Sequence, residues 1–247
     1  MSEPRAPILE IFSGIQGEGL FVGTRQIFVR FCGCNRRCRY CDTPEALHPS
    51  ENCTVELAPG ERRFRRVANP VALSEVVGAI EALATCPHEF VSLTGGEPLL
   101  QADFIAALCP MLPLPIYLET NGTLPEAFRR VRAMVGHVAM DVKLASATGE
   151  PTPWGEHRRF VEAADLAAMH LKVVVADATT DEELRRVRAL LEGRRLPTVI
   201  VLQPVTPGGG AKPPSAVRIL KMQEVLMAEG TADVRVIPQV HKLMRWK

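Results

Sequence analysis

The stretch Gln26–Thr43, QIFVRFCGCNRRCRYCDT, sets a short β-rich run, Gln26–Phe31, directly before a loop that holds four of the chain's seven cysteines. Further runs of the same character follow at Phe90–Leu93, Ile116–Glu119, His137–Val142, His170–Ala176, Thr198–Leu202 and Val234–Ile237, with longer segments between them. Some of those segments have helical period. Ser74–Ala84 places Val76, Val77, Ile80 and Leu83 on one face behind a Ser74 cap, and Thr180–Glu192 places Leu184, Val187, Leu190 and Leu191 behind Thr180 and Asp181. Ala102–Leu108 and Ala216–Ala228 read as helices too. Alternation of this kind is the signature of βα units on a parallel sheet. Seven runs fall short of the eight strands that close a TIM barrel, so the predicted fold is α/β, a partial, open TIM-like barrel. In such barrels reactive groups sit at the carboxyl ends of the strands, which is where the cysteine loop falls.

A chain of 247 residues with 47% hydrophobic residues can bury one sizeable core, so a single domain over 1–247 is expected. Lys and Arg total 29 against 28 Asp and Glu, and no whole-molecule field draws the chain to nucleic acid or anionic lipid. A small-molecule partner is expected instead. The opening residues MSEPRAPILEIFSG have no apolar core of signal-peptide length, and no stretch reaches the roughly 20 apolar residues that span a bilayer, so the expected location is cytoplasmic. Two stretches interrupt the βα pattern. Residues His48–Pro70 mix charge, proline and glycine and read as an insertion; its arginine-rich part, Glu61–Arg66, reads as a solvated or lid segment rather than a nucleic-acid patch, since the single Phe64 is no row of stacking rings. Thr206–Pro214 is a glycine and proline loop, and a tail from about residue 234 to 247 ends the chain.

Seven cysteines, with four crowded into ten residues from Cys32 to Cys41, do not make a disulfide framework for a chain of this size. Cys34, Cys38 and Cys41 instead have the spacing of metal ligands. Three thiolates on one loop can wrap one corner of an iron–sulfur cluster. The bland alternative is structural zinc, which needs a fourth ligand that Cys32 or Cys53 would have to supply and is usually built from two separated pairs. Arg36, Arg37 and Arg39 lie among the ligands, where positive charge favours thiolate. Cys53, Cys86 and Cys109 stand singly and read as small buried residues, as does Cys32.

The spacing CxxxCxxC after a first strand, joined by Thr94-Gly95-Gly96-Glu97-Pro98 at the end of the second run, resembles the radical S-adenosylmethionine (SAM) superfamily. Within it, one family is similar over about residues 8 to 242: 7-carboxy-7-deazaguanine synthase. The likeness is carried by Glu10–Gly19 (EIFSGIQGEG), Arg30-Phe31, Cys41-Asp42-Thr43, Glu119–Gly122 (ETNG), Asp141–Lys143 (DVK), Leu202–Val205 (LQPV) and Pro238–His241 (PQVH).

The resemblance implies a lyase that turns 6-carboxy-5,6,7,8-tetrahydropterin into 7-carboxy-7-deazaguanine with loss of ammonia, on the way to queuosine and related deazapurines. It implies a 4Fe-4S cluster on Cys34, Cys38 and Cys41, whose open iron is chelated by SAM, and Mg²⁺ on the hydroxyl of Thr43. Ile15, Gln16, Gly17 and Glu18 match the loop that lines the pterin, Arg30 the clamp on its carboxylate, Thr94 a further contact and His241 a closing residue, which makes the tail from about residue 234 to 247 a segment that closes over the substrate. Tyr40, Cys41, Asp42, Gly96, Glu97, Asp141, Val142, Lys143, Gln203, Pro204, Val205 and Thr206 fall where the family holds SAM. Glu18 is the candidate for proton transfer. A flavodoxin- or ferredoxin-type reductant and a homodimer are likewise implied. A glycyl-radical-enzyme activase shares the cysteine spacing but binds a protein, for which the QGEG loop and Arg30 have no use. An iron–sulfur electron carrier or a zinc-bound interaction domain would need neither GGEP nor a barrel.

Overall fold

The computed structural model describes residues 3–165, 167–207, 210–228 and 233–244. A parallel sheet forms from β3 (Arg25–Phe31), β7 (Phe90–Gly95), β8 (Ile116–Thr120), β9 (His137–Val142), β10 (Met169–Val175), β11 (Val199–Pro204) and β12 (Asp233–Val236), which lie side by side in chain order. These are the seven runs the sequence predicts. β12 is one edge, and the sheet does not return to pair with its other edge, so the barrel is open.

The parallel strands other than the edge strand β12 are buried on both faces, and side-chain alternation divides the work. Val29, Leu93, Leu118, Met140, Leu171 and Leu202 pack into the hydrophobic core. Their neighbours Arg30, Thr94, Glu119, Asp141, Lys172 and Gln203 turn to the concave side and line a cavity there. The core side is covered by α1 (Leu73–Leu83), α2 (Ala102–Leu108), α3 (Pro125–Val131), α5 (Trp154–Ala163), α6 (Asp181–Ala189) and α7 (Ala216–Met227), while α4 (Ala145–Thr148) and α8 (Val240–Leu243) are single turns at the cavity end. Phe128 of α3 stacks on Phe160 of α5 with ring centroids 4.6 Å apart. Among the described residues no helix is long and apolar enough to cross a membrane.

The caps follow the sequence in part. Thr180 and Glu183 form a reciprocal capping box on α6, and Ser215 caps α7. Ser74 does not cap α1. That helix begins one residue earlier, at Leu73, so the Ser74 N–H is itself in the first turn and donates to the Glu3 carboxylate at 2.7 Å.

The other side of the sheet was not predicted. β2 (Ile8–Ile15) runs antiparallel to β3, and the insertion folds as a hairpin of β4 (Asn52–Glu56) and β5 (Phe64–Ala68), with β4 parallel to β2. β1 (Arg5–Ala6) and β6 (Val71–Ala72) make a separate two-stranded pair. Glu56 fixes the hairpin: its carboxylate accepts from the N–H groups of Gly60 (3.1 Å), Arg62 (2.9 Å) and, across on β2, Ser13 (2.8 Å). The register continues the polar row of the concave face outward, pairing Thr94 with Arg30, Arg30 with Glu10, Glu10 with Thr54 and Thr54 with Arg66.

Candidate functional site

The concave face and the loops beyond the strand ends enclose a cavity of about 930 Å³, which takes residues from every part of the predicted site. Its first wall is the cysteine loop after β3. Cys34, Cys38 and Cys41 all line the cavity, none in a disulfide. The Cys41 N–H donates to the Cys38 carbonyl at 3.0 Å, which curls the loop so that the sulfurs share one wall. Burial pushes the Cys34 and Cys38 thiols up from their ordinary range. Of the three arginines, Arg36 lines the cavity beside the sulfurs, its N–H donating to Cys34 Sγ at 3.4 Å. Arg36 pairs with Glu150 at 3.0 Å, the Arg37 N–H donates to the same carboxylate at 3.1 Å, and Arg39 donates through Nε to the Ala147 carbonyl at 2.8 Å. Their work is to fasten the loop to α4 and the turn after it. Cys32 and Cys53 are buried outside the cavity and offer no fourth ligand in it, so the three-sulfur wall suits a cluster with an open iron rather than tetrahedral zinc.

The second wall is the GGEP segment. A Cβ on Gly96 would stand 2.0 Å from the Gly33 carbonyl oxygen, and one on Gly95, which has φ +129°, would stand 2.2 Å from the Phe31 carbonyl oxygen. These glycines let the end of β7 lie against the cysteine loop. Glu97 departs from its expected place. It is fully buried, it is not among the cavity-lining residues, and its carboxylate accepts from the Leu99 N–H (3.1 Å), the Thr120 hydroxyl (2.8 Å) and the Asn121 N–H (2.7 Å). Burial pushes its carboxyl up to about 7 against those three donors. Glu97 ties the end of β7 to the end of β8. Val142 and Pro204 also lie off the cavity, because alternation turns them away from it, while Tyr40, Asp42, Asp141, Lys143, Gln203, Val205 and Thr206 line it.

Two acceptors in this region have no partner. Asp141 Oδ1 and Gln203 Oε1 are buried and unbonded, although Asp141 Oδ2 takes Lys143 Nζ at 2.8 Å and Lys172 Nζ at 3.3 Å. Unpaired buried acceptors on a cavity wall are suited to ligand hydroxyl or ammonium donors, as a bound SAM would present.

On the opposite side, Ile15 ends β2 and Gln16, Gly17 and Glu18 follow it. Arg30 donates through Nε to Glu10 at 2.9 Å, with side chains 20% and 9% exposed. Gln16 Nε2 and Thr94 Oγ1 donate to the two oxygens of Glu119, at 2.9 and 3.0 Å. The Val240 N–H donates to the Gly17 carbonyl at 2.9 Å, and a Cβ on Gly17 would fall 2.3 Å from His241 Nδ1. Helix α8 is therefore seated on the 15–18 loop; residues 245–247 of the tail lie outside the described residues.

Glu18 sits at the centre. Lys172 Nζ lies 2.5 Å from its Oε2, Gln203 Nε2 donates to the same oxygen at 3.2 Å, and Gln239 Nε2 donates to Oε1 at 2.6 Å and to Asp42 Oδ2 at 2.9 Å. Burial opposes charge on Glu18, but Lys172, Gln239 and His241 outweigh it and hold the carboxyl at about 2. A carboxylate so held is charged and anchors the donors gathered around it. Asp42 is likewise below its ordinary range: burial and Glu18 oppose its charge, and Lys242, 3.2 Å away, and Lys172 prevail. Thr43 lines the cavity beside it, its hydroxyl 3.3 Å from Asp42 Oδ1. Ligand atoms of Glu18, Asp42 and His241 come within 4.8 Å of one another. With Thr43 this corner is rich in oxygen donors, the chemistry Mg²⁺ requires.

The sequence reading did not assign Lys172, Gln239, Glu119 or Glu10, although all line the cavity. For Lys172 a signal was present: a lone ammonium in the apolar run MHLKVVV, on the face that alternation turns inward.

Residues 28–202 match the family model described as the Radical SAM superfamily. A 7-carboxy-7-deazaguanine synthase of Geobacter sulfurreducens is 41% identical over 249 residues, covering 99% of both chains. Another, of Methanothermobacter thermautotrophicus, is 36% identical and covers 97% of both. Among solved structures, QueE from Escherichia coli superposes with a TM-score of 0.61 at 21% identity, over 96% of this chain and 95% of that one.

Proposed function

The chain belongs to the radical SAM superfamily and within it to the 7-carboxy-7-deazaguanine synthases, and on that footing we propose that it converts 6-carboxy-5,6,7,8-tetrahydropterin to 7-carboxy-7-deazaguanine, releasing ammonia, in deazapurine biosynthesis. The observation that carries the reading is the meeting of two things in one cavity: a wall of three cysteine sulfurs, and a half-buried arginine, Arg30, held by Glu10. The cofactors are a 4Fe-4S cluster, SAM and Mg²⁺. When bound, they supply an electron, a carbon radical that takes hydrogen from the substrate, and a hard cation for its oxygens.

The chain's own residues do the rest by position. Cys34, Cys38 and Cys41 hold the cluster, and Arg36, Arg37 and Arg39 keep their loop in place. Asp141 Oδ1 and Gln203 Oε1 receive SAM donors, with Tyr40, Asp42, Gly96, Lys143, Val205 and Thr206 around them. Glu97 acts through the strand ends it joins. Arg30, oriented by Glu10, presents its fork to the substrate carboxylate. Gln16, Gly17, Glu18 and Glu119 face the pterin, with Thr94 orienting Glu119, Thr43 holds Mg²⁺, and His241 closes the site and excludes water. We further infer a cytoplasmic homodimer served by a flavodoxin- or ferredoxin-type reductant. Anaerobic turnover of carboxytetrahydropterin by reconstituted protein tests the function: a carboxydeazaguanine product is expected, and intact substrate alongside reductive SAM cleavage would refute it.

A further inference from the structure

Lys172 is buried between two carboxylates that belong to different halves of the cavity. Its Nζ lies 2.5 Å from Glu18 Oε2, on the loop assigned above to the pterin, and 3.3 Å from Asp141 Oδ2, at the end of β9 on the side assigned to SAM. Asp141 Oδ2 also takes Lys143 at 2.8 Å, so one oxygen serves two ammonium groups while Oδ1 has no partner. Glu18 then reaches on through Gln239 to Asp42 and to α8. Lys172 is thus the cationic link in a chain running from Lys143 and Asp141 to Glu18 and Gln239. A ligand donor arriving at Asp141 Oδ1 fixes that carboxylate on the SAM side. Lys172, already nearer to Glu18, is then held more completely by Glu18, and the Glu18 carboxylate is fixed before the pterin arrives. The second ligand finds that positioning already done, which is positive coupling over and above any contact between the two.

We propose that Lys172 is a positioning residue that makes occupancy of the SAM side and of the pterin side cooperative. The inference rests on the function proposed above. Without reductant neither ligand reacts, so each dissociation constant can be measured by calorimetric titration of the anaerobic, cluster-loaded protein. In the wild type, saturating SAM should tighten carboxytetrahydropterin by about 5- to 150-fold, the ordinary span of such couplings, and the pterin should tighten SAM by the same factor. Lys172→Met removes the charge at similar length and should bring that ratio to about one, while Lys172→Arg should retain part of it. Glu18→Gln cuts the same link from its other end and gives the same collapse should Lys172→Met fail to fold. A merely structural lysine would weaken both ligands and leave the ratio standing. Independent binding in the wild type, or a ratio kept in Lys172→Met or Glu18→Gln, would overturn the inference and leave the proposed function intact. A wild type that binds neither ligand would overturn both.

Discussion

Replacing Arg30 with Ala removes more than one interaction, because Glu10 lies behind it. In the native site the Arg30 Nε holds Glu10 at 2.9 Å, and the two side chains are only 20% and 9% exposed. Taking the guanidinium away deprives the substrate carboxylate of its clamp and leaves a second, nearly buried carboxylate at the same end of the cavity. Truncating one partner of a buried charge pair costs about 2–5 kcal/mol, and like charges brought together add to it, so substrate affinity should fall by roughly 30-fold to several thousand-fold. SAM affinity, set on the other side of the cavity, should change by less than about threefold, under 1 kcal/mol. The contribution of Glu10 is separable. Adding Glu10→Gln to Arg30→Ala removes the repulsion and should recover about tenfold of the lost affinity, near 1.4 kcal/mol, as a double-mutant cycle. Titrations of unreduced protein with each ligand, with unfolding midpoints measured alongside, provide the assay. A double variant that binds substrate no better than Arg30→Ala would refute the electrostatic argument, and loss of SAM with pterin binding kept would refute the placement of Arg30.

Glu97→Ala strips partners from the N–H groups of Leu99 and Asn121 and from the Thr120 hydroxyl; it should lower unfolding free energy by about 3–5 kcal/mol in denaturant melts, and a wild-type midpoint combined with lost SAM binding would put Glu97 back on the ligand. Ala at Cys34, Cys38 or Cys41 should abolish SAM cleavage and reduce bound iron and sulfide, whereas Ala at Cys32, Cys53, Cys86 or Cys109 should leave both largely in place, as measured by metal analysis and product assay. Turnover should rise with added Mg²⁺, Thr43→Ala should lose most of that response while still binding SAM, and Thr43→Ser should keep part of it; indifference of the wild type to chelation would remove Thr43 as a ligand. His157 is fully buried, and burial lowers its imidazole to about 4 although Nε2 donates to the Asn121 carbonyl at 3.1 Å. Below the unfolded value near 6.5 the unfolded chain takes up a proton that the native chain does not, so this stability is present above about pH 6.5 and is lost as pH falls toward 4. Going from pH 8 to 5 should cost about 2 kcal/mol through this residue; an unchanged slope in His157→Phe would count against it.

One of the seven parallel strands, β12, DVRV, is an edge buried only at Val234. The other six are legible because each is a short apolar run enclosed on both faces, and burial of that kind leaves its mark in composition alone. β2 has the same composition, ILEIFSGI, yet was not recognised as a strand. Its reading as a functional motif obscured its reading as structure. The hairpin was hidden for a different reason. β5 is FRRVA, mostly exposed, and is held by register against β4 and by the Glu56 carboxylate rather than by buried area of its own. No apolar alternation marks a strand whose stability comes from its partner.

The cavity residues divide in the same way. Those carried by a contiguous motif, such as the cysteines, Arg30, Asp141 or Gln203, were found, because a loop's chemistry is local in sequence. Glu97 was found and placed wrongly: a motif specifies that a carboxylate follows two glycines, not which way the chain turns it, and only the converging donors of Leu99, Thr120 and Asn121 decide that it points inward. Lys172 was missed because its meaning is entirely non-local. Its partners stand 154 residues away, at Glu18, and on the neighbouring strand, at Asp141. A buried lysine between two apolar residues nonetheless requires a counter-ion, since an unpaired ammonium there would lose its proton or its burial. Demanding a partner for every inward-facing charge on a predicted parallel strand raises Arg30, Glu119, Asp141 and Lys172 together, two of each sign around a shared cavity, from the sequence alone.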